Sequence, residues 1–197
     1  MDLIETTPLN TADLPITEFR DYLQLGSGFA DDGAQDSLLE LCLRAAMGAI
    51  EARTSRILIE RTFEWKFARY RIENEGALLP LSPVTLLHKF FIYDRLGIAT
   101  SYSRNDFQLL TDPQRPRLVP KFGTLPKIHN NGWGLMRIVA GYSEWQTVPP
   151  ALRQAMFMLA TRYYENRGAM LNGGEQMPLA IATLLAPFQR IRLGAGA

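Results

Sequence analysis

The sequence predicts an α+β fold that is mainly α, a small helical bundle with a β-rich insertion between the long second helix and the C-terminal helices. Three observations predict it. Residues 35–55 show the strongest helical period in the chain. Residues 57–142 change to short runs of alternating polar and apolar side chains, broken by glycine and proline. Helical spacing then returns after residue 149. The length of 197 residues fits one domain.

The first residues, 1–14, are predicted to form a flexible arm, because they show no apolar period and Pro8 interrupts them. A single domain is predicted from residue 15 to residue 186, and its first helix at about 16–25. Three apolar side chains in that helix fall on one side, at i, i+3 and i+4: Phe19, Tyr22 and Leu23.

The second helix, at about 35–55, has an apolar arc made of two groups. At about 100 degrees per residue, one group centres on Leu38 and includes Leu41 and Cys42. The other group lies about 80–140 degrees further round and contains Leu39, Leu43, Ala46 and Ile50. An arc this wide exceeds what packing against one surface needs. We therefore predict that the arc is covered on two sides, either within the domain or by another subunit, and Leu39, Leu43 and Ile50 are the predicted subunit contacts.

The predicted insertion, at about 57–142, begins with a strand in which Phe63, Trp65 and Phe67 alternate with polar side chains. A link punctuated by proline follows at 78–83. Further strands are predicted at 84–93, 107–110, 117–119 and 134–140, and a polar loop precedes the last of them.

The last third of the chain is predicted to hold two helices, at about 149–167 and 178–186. Phe157 and Tyr164 lie seven residues apart, away from the stripe that contains Leu152. They could contact the sheet of their own domain or a neighbouring subunit. Of these two alternatives, the contact with a neighbouring subunit is the more specific prediction.

The tail, residues 187–197, mixes arginine with isolated apolar residues and is predicted to be loose when alone.

The sequence motifs of common enzyme classes are absent. There is no phosphate-binding glycine loop and no Gly-x-Ser-x-Gly elbow. The single cysteine, Cys42, excludes a disulfide framework and a thiolate zinc cluster. His88 lies in a predicted strand, and His129 lies in a polar loop where a general base would still need a nucleophile and an orienting acid. We therefore predict no enzyme, no catalytic residue, no metal and no cofactor; an activity at His129 is a third alternative.

The net charge of +1 hides an uneven distribution along the chain. Residues 1–50 carry nine acidic and two basic side chains, whereas the remaining residues have a net charge of +8. Such a split favours charge pairing between molecules. The basic segment 104–127 keeps open an alternative function, a nucleic-acid-binding module, although it matches no recognition motif.

No apolar run approaches the roughly 18–20 residues of a membrane span, so no membrane partner is predicted.

Three stretches of the sequence together resemble one protein family. The first is Ala49-Ile-Glu-Ala-Arg-Thr-Ser-Arg56, and the second is Leu79-Pro-Leu-Ser-Pro-Val84, each followed by a predicted strand. The third runs from Ile138-Val-Ala-Gly-Tyr142 through Val148-Pro-Pro to Tyr163-Tyr-Glu-Asn-Arg167. In this order and spacing they resemble the head–tail connector (adaptor, or head-completion) proteins of long-tailed phages and gene transfer agents, over about residues 15–190.

The resemblance implies a structural, non-enzymatic connector subunit without a cofactor. It implies a ring of copies of the chain, expected to be a dodecamer, that joins the capsid portal to a tail-side stopper or tail-terminator protein. Double-stranded DNA would pass through the channel without specific binding. The location would be the neck of a virion or gene transfer agent particle, with assembly in the bacterial cytoplasm. The C-terminal segment would bind the portal through Pro187, Phe188, Arg190, Ile191, Arg192 and Leu193.

Overall fold

The computed structural model describes residues 2–24, 33–166 and 177–189. The chain divides into two compact units: a β unit, of residues 1–9 and 59–143, and a helical unit, of residues 10–58 and 144–197. Among the described residues, four α-helices are accompanied by nine strands, which form two antiparallel sheets. The prediction of a mainly α fold is therefore wrong, and the chain has a β-rich α+β fold.

The described part contains four α-helices, and three of them, α1, α3 and α4, are shorter than predicted. Their bounds are α1 Ile16–Tyr22, α2 Gly33–Thr54, α3 Pro150–Glu165 and α4 Leu179–Leu185. Helix α1 stops soon after Tyr22 because Gln24 takes a left-handed backbone conformation, with φ 55°. Helix α4 stops before Pro187, whose ring lacks the N–H that a helix would use next.

Nine strands lie in the described residues: β1 Asp2–Glu5, β2 Arg61–Phe67, β3 Ile72–Glu73, β4 Gly76–Leu78, β5 Val84–Tyr93, β6 Ala99–Tyr102, β7 Phe107–Leu110, β8 Arg117–Pro120 and β9 Trp133–Ala140. One sheet has the order β1-β2-β9-β5-β6, and the other has the order β3-β4-β8-β7. All neighbouring strands are antiparallel. Strand β1 falls within the predicted flexible arm, where pairing with β2 orders it.

The core of the β unit lies on the face of β2 that the alternating pattern predicts. Phe63, Trp65 and Phe67 are buried, and the intervening positions are more exposed. Trp65 is paired in register with Met136, whose side chain is also fully buried. Gly134 lies opposite Phe67 on β9, and the Phe67 ring occupies the space that a side chain at position 134 would need. The glycine thus allows the ring to pack across the sheet.

The helical unit has its core between α2 and α3, with α1 against α2 and α4 against α3. Fully buried side chains from these elements include Phe19, Leu39, Leu43, Ile50, Leu152 and Met156. At the end of α2, the Thr54 hydroxyl donates a hydrogen bond to the Ile50 carbonyl, with an oxygen–oxygen distance of 2.8 Å. The Glu51 carboxylate accepts a hydrogen bond of 2.9 Å from the Leu58 amide. These bonds satisfy groups at the helix end and fix the chain that leaves it. None of the helices in the described ranges is long and apolar enough to cross a membrane.

Candidate assembly surfaces

The three α2 residues predicted to contact another subunit lie in the core of this one. Leu39, Leu43 and Ile50 are each 0% exposed in the single chain. A residue with no accessible surface has no area left to bury against a neighbour. In the single chain these three residues therefore form part of the subunit core and offer no contact surface.

The opposite side of α2 is exposed and has no charged residue along its centre. It consists of Ser37, Leu41, Ala45, Gly48 and Ala52, all exposed, spaced at four, four, three and four residues along one side of the helix. We call this set the α2 outer face. Leu41 is 64% exposed, and a Cβ added at Gly48 would meet no atom within 4 Å. Part of the apolar arc is thus left uncovered in the single chain, and that part is the α2 outer face around Leu41.

Phe157 lies in an aromatic cluster inside the helical unit. Its ring centroid lies 5.5 Å from that of Phe19, 5.4 Å from that of Tyr22 and 5.5 Å from that of Trp145. The Trp145 indole N–H donates a 2.7 Å hydrogen bond to Glu18, which ties α1 to the segment before α3. Phe157 therefore packs against α1, a contact that neither of the two alternatives from the sequence includes.

Tyr164 is half-buried near the end of α3. Its hydroxyl oxygen accepts a hydrogen bond of 3.4 Å from the Gln35 side-chain amide, near the start of α2. This bond joins the two long helices of the helical unit. Part of the Tyr164 ring is still accessible, so a subunit contact at this residue stays a prediction.

The beginning of the predicted portal-binding segment is anchored on the helical unit. The Arg56 guanidinium lies over the Phe188 ring, with its central carbon 5.1 Å from the ring centroid. Arg56 is only 4% exposed, and its Nε has no hydrogen-bond partner in the part of the chain that the structure describes. A buried cation over an aromatic face is attracted by the ring, which offsets part of its desolvation. Pro187 is exposed, and the other predicted portal contacts, Arg190, Ile191, Arg192 and Leu193, lie outside the described residues.

The basic segment 104–127 does not present all of its cations to solvent. Arg115 forms an ion pair with Glu73, and Arg117 is half-buried. Phe107, which could have stacked on a base, is only 7% exposed, because it packs against Phe90. The exposed cations of the segment are Arg104, Lys121 and Lys127. The geometry gives little support to the alternative of a nucleic-acid-binding module.

Neither histidine lies in an arrangement that supports catalysis. His88 and His129 are both exposed, and His129 lines a groove of the β unit. Within residues 2–24, 33–166 and 177–189, no group of three or more His, Cys, Asp or Glu side chains could hold a metal ion. The structure therefore offers no observation that favours an activity at His129.

No family model matches the chain, and no curated protein matches it. Solved structures do match it from end to end. The chain is similar to a protein in the neck of an empty GTA particle computed with C6 symmetry, with 36% identity and a TM-score of 0.85. It is also similar to a chain in the virion of a native gene transfer agent (GTA) particle, with 36% identity and a TM-score of 0.83.

A third similar chain comes from the neck of a native GTA particle computed with C12 symmetry, with 32% identity and a TM-score of 0.80. Each match covers 100% of this chain and 99% of the other chain. Identity above 30% over the full length goes beyond a shared fold. The chain therefore belongs to a family of gene transfer agent neck proteins.

Proposed function

We propose that the chain is a structural, non-enzymatic subunit of the connector ring in a particle neck, between the capsid portal and a tail-side stopper or tail-terminator protein. The observation that carries this proposal is the full-length similarity to neck proteins of GTA particles. The sequence resemblance to head–tail connectors supports the finer assignment. Passage of double-stranded DNA through the ring belongs to the same proposal.

The proposed ring consists of twelve copies, as in the C12 symmetry of one similar neck structure. A closed ring needs a head-to-tail interface, in which each subunit offers two different surfaces. We assign the α2 outer face to one of these surfaces, because its central leucine is 64% exposed. Alanine and glycine beside that leucine let another backbone approach closely.

Charge pairing between neighbours would add to this interface. The β unit contains twelve basic and nine acidic side chains, whereas the helical unit contains nine basic and eleven acidic ones. The surfaces of neighbouring copies can therefore attract each other if unlike units meet. The small total charge also suits a ring through which DNA slides, since strong phosphate binding would need many uncompensated cations.

We assign portal binding to the segment that begins at Pro187 and Phe188 and continues with Arg190, Ile191, Arg192 and Leu193. The contact between Arg56 and Phe188 fixes the point from which this segment continues. Arginine can donate two parallel hydrogen bonds to a carboxylate of the partner, and apolar residues can fill pockets beside it.

A truncation tests this proposal. Ending the chain after Gln189 keeps the Arg56–Phe188 contact and removes the remaining predicted portal residues. The truncated protein should have the unfolding midpoint of the full chain, while tailless heads accumulate in place of joined particles. Normal yields of joined particles would contradict the assignment. A chain with Leu179→Ser, which is 83% exposed on α4, serves as a control for a change outside the segment.

A further inference from the structure

The β unit contains a groove of about 920 Å³ between residues 68–75 and the loop 119–130. Its two sides are tied together at Tyr70, whose hydroxyl donates a 2.9 Å hydrogen bond to the Pro126 carbonyl. The Tyr70 ring packs against Phe67, with 5.3 Å between centroids. Burial raises the pKa of the Tyr70 hydroxyl, so the group stays protonated and remains a donor. The hydrogen bond and the ring contact therefore fix the two sides of the groove relative to each other.

The walls of the groove combine apolar side chains with cations. Ile72 is 64% exposed, and Leu125 and Ile128 are half-buried on the facing loop. Arg69 and Lys127 are exposed at the groove, and neither takes part in an ion pair among the described residues. The lining contains a single carboxylate, from Glu75, so its charge is complementary to an acidic ligand.

The loop wall also offers backbone hydrogen-bond donors. Residues 124–129 belong to no helix or strand. Among the described residues, no backbone carbonyl accepts a hydrogen bond from the amides of Leu125, Lys127 or Ile128. On the other wall, β3 is the outer strand of its sheet. Unpaired backbone groups beside an apolar surface are the features that bind an extended peptide, because main-chain bonds give affinity and side-chain pockets give specificity.

We propose that this groove binds an extended segment of a partner protein in which apolar side chains alternate with carboxylates. The backbone of the segment pairs with the loop 124–129. Its apolar side chains contact Ile72 and Ile128, and its carboxylates lie near Arg69 and Lys127. This docking surface goes beyond the connector assignment, which rests on other residues, and it can be tested on the purified chain.

Binding of two synthetic hexapeptides to the full chain tests the proposal by calorimetry. One peptide alternates valine with glutamate, and the other has lysine in place of each glutamate; both have blocked ends. The glutamate peptide should bind at least tenfold more tightly. Lys127→Glu and Arg69→Glu should each weaken it at least threefold, and Ile128→Asp should weaken it while leaving the unfolding midpoint within a few degrees of that of the unchanged protein.

A matched control is Arg95→Glu, which makes the same charge change at an exposed residue outside the groove lining and should leave peptide binding unchanged. Equal affinity for the two peptides, or no binding of either, would overturn the proposal. A twenty-base-pair DNA duplex is the third probe. If the duplex binds with a steep salt dependence that Lys127→Glu removes, while the glutamate peptide does not bind, the groove is a nucleic-acid site and the proposal fails.

Discussion

Substitution of Leu41 by glutamate is expected to weaken ring assembly while leaving the subunit folded. Leu41 is 64% exposed at the centre of the α2 outer face. Complete burial of a leucine contributes about 1.5–3 kcal/mol, so covering the exposed part contributes about 1–2 kcal/mol to each subunit contact. Since about 1.4 kcal/mol corresponds to a factor of ten, even Leu41→Ala should weaken each contact about 5–30-fold. Glutamate should weaken it further, because its carboxylate would have to lose water.

The assay has two parts, the unfolding midpoint of the purified chain and the amount of chain incorporated into purified particle necks. An exposed substitution changes the free energy of unfolding by only about 0.5 kcal/mol, so Leu41→Glu should melt like the unchanged protein. Leu43→Ala provides the contrast. Leu43 is 0% exposed, and emptying such a site costs about 2–5 kcal/mol of folding stability.

Leu179→Glu is the matched surface control, because Leu179 is 83% exposed on a different helix of the same unit. It should incorporate into necks normally. The reasoning is refuted if Leu41→Glu also incorporates normally while melting like the unchanged protein. The α2 outer face would then be an ordinary exposed surface.

Three further predictions concern stability. Gly134→Ala should lower the free energy of unfolding by about 1–3 kcal/mol, because the new Cβ overlaps the Phe67 ring; denaturant unfolding would show this, and an unchanged midpoint would contradict it. Arg56→Leu should release Phe188 and make the chain more easily cut by protease after α4, whereas equal cutting rates would show that the cation–aromatic contact has no anchoring role. Asp112 accepts hydrogen bonds from the Arg115 and Gln114 amides, and these bonds hold the pKa of its carboxyl below the usual value of an aspartate. Its charge therefore stabilises the fold above about pH 4, and this stabilisation is lost as the pH falls through the lowered pKa. Asp112→Asn should reduce the melting temperature at pH 7 more than at pH 3, and an equal reduction at both would contradict this.

The local elements of the fold could be predicted from the sequence where the pattern was strong. Strands β5 and β7 have the predicted bounds, 84–93 and 107–110. Helix α2 agrees with prediction to within two residues at its start and one at its end. Side-chain period determines these elements because each buries one regular face.

The balance between helix and sheet could not be predicted in the same way. Strand β1 has all four residues exposed and no sequence period of its own, so it is defined by its partner β2. Strands β3 and β4 have two and three residues, which is too short for a period. Strands β1 and β4 depend on long-range pairing with β2 and β8, which single-sequence patterns do not contain, whereas β3 pairs with β4, the next strand along the chain.

The candidate surfaces show a related limit. The two apolar groups on α2 were visible in the sequence, but which group faces the core depends on α3 and α1, which lie far away along the chain. The groove was missed because the bond from Tyr70 to Pro126 joins residues 56 positions apart. The only sequence signal was the mixture of cations and apolar residues around Arg69 and Lys127.

Cryo-electron microscopy of the neck of particles that contain this chain tests the central proposal most directly. We expect a twelve-membered ring of the chain between the portal and the tail-side proteins. The α2 outer face should be buried against a neighbouring copy, and residues from Pro187 onward should contact the portal. A neck in which the chain is absent from the ring, or in which Leu41 faces solvent and the C-terminal segment touches no portal subunit, would contradict the account.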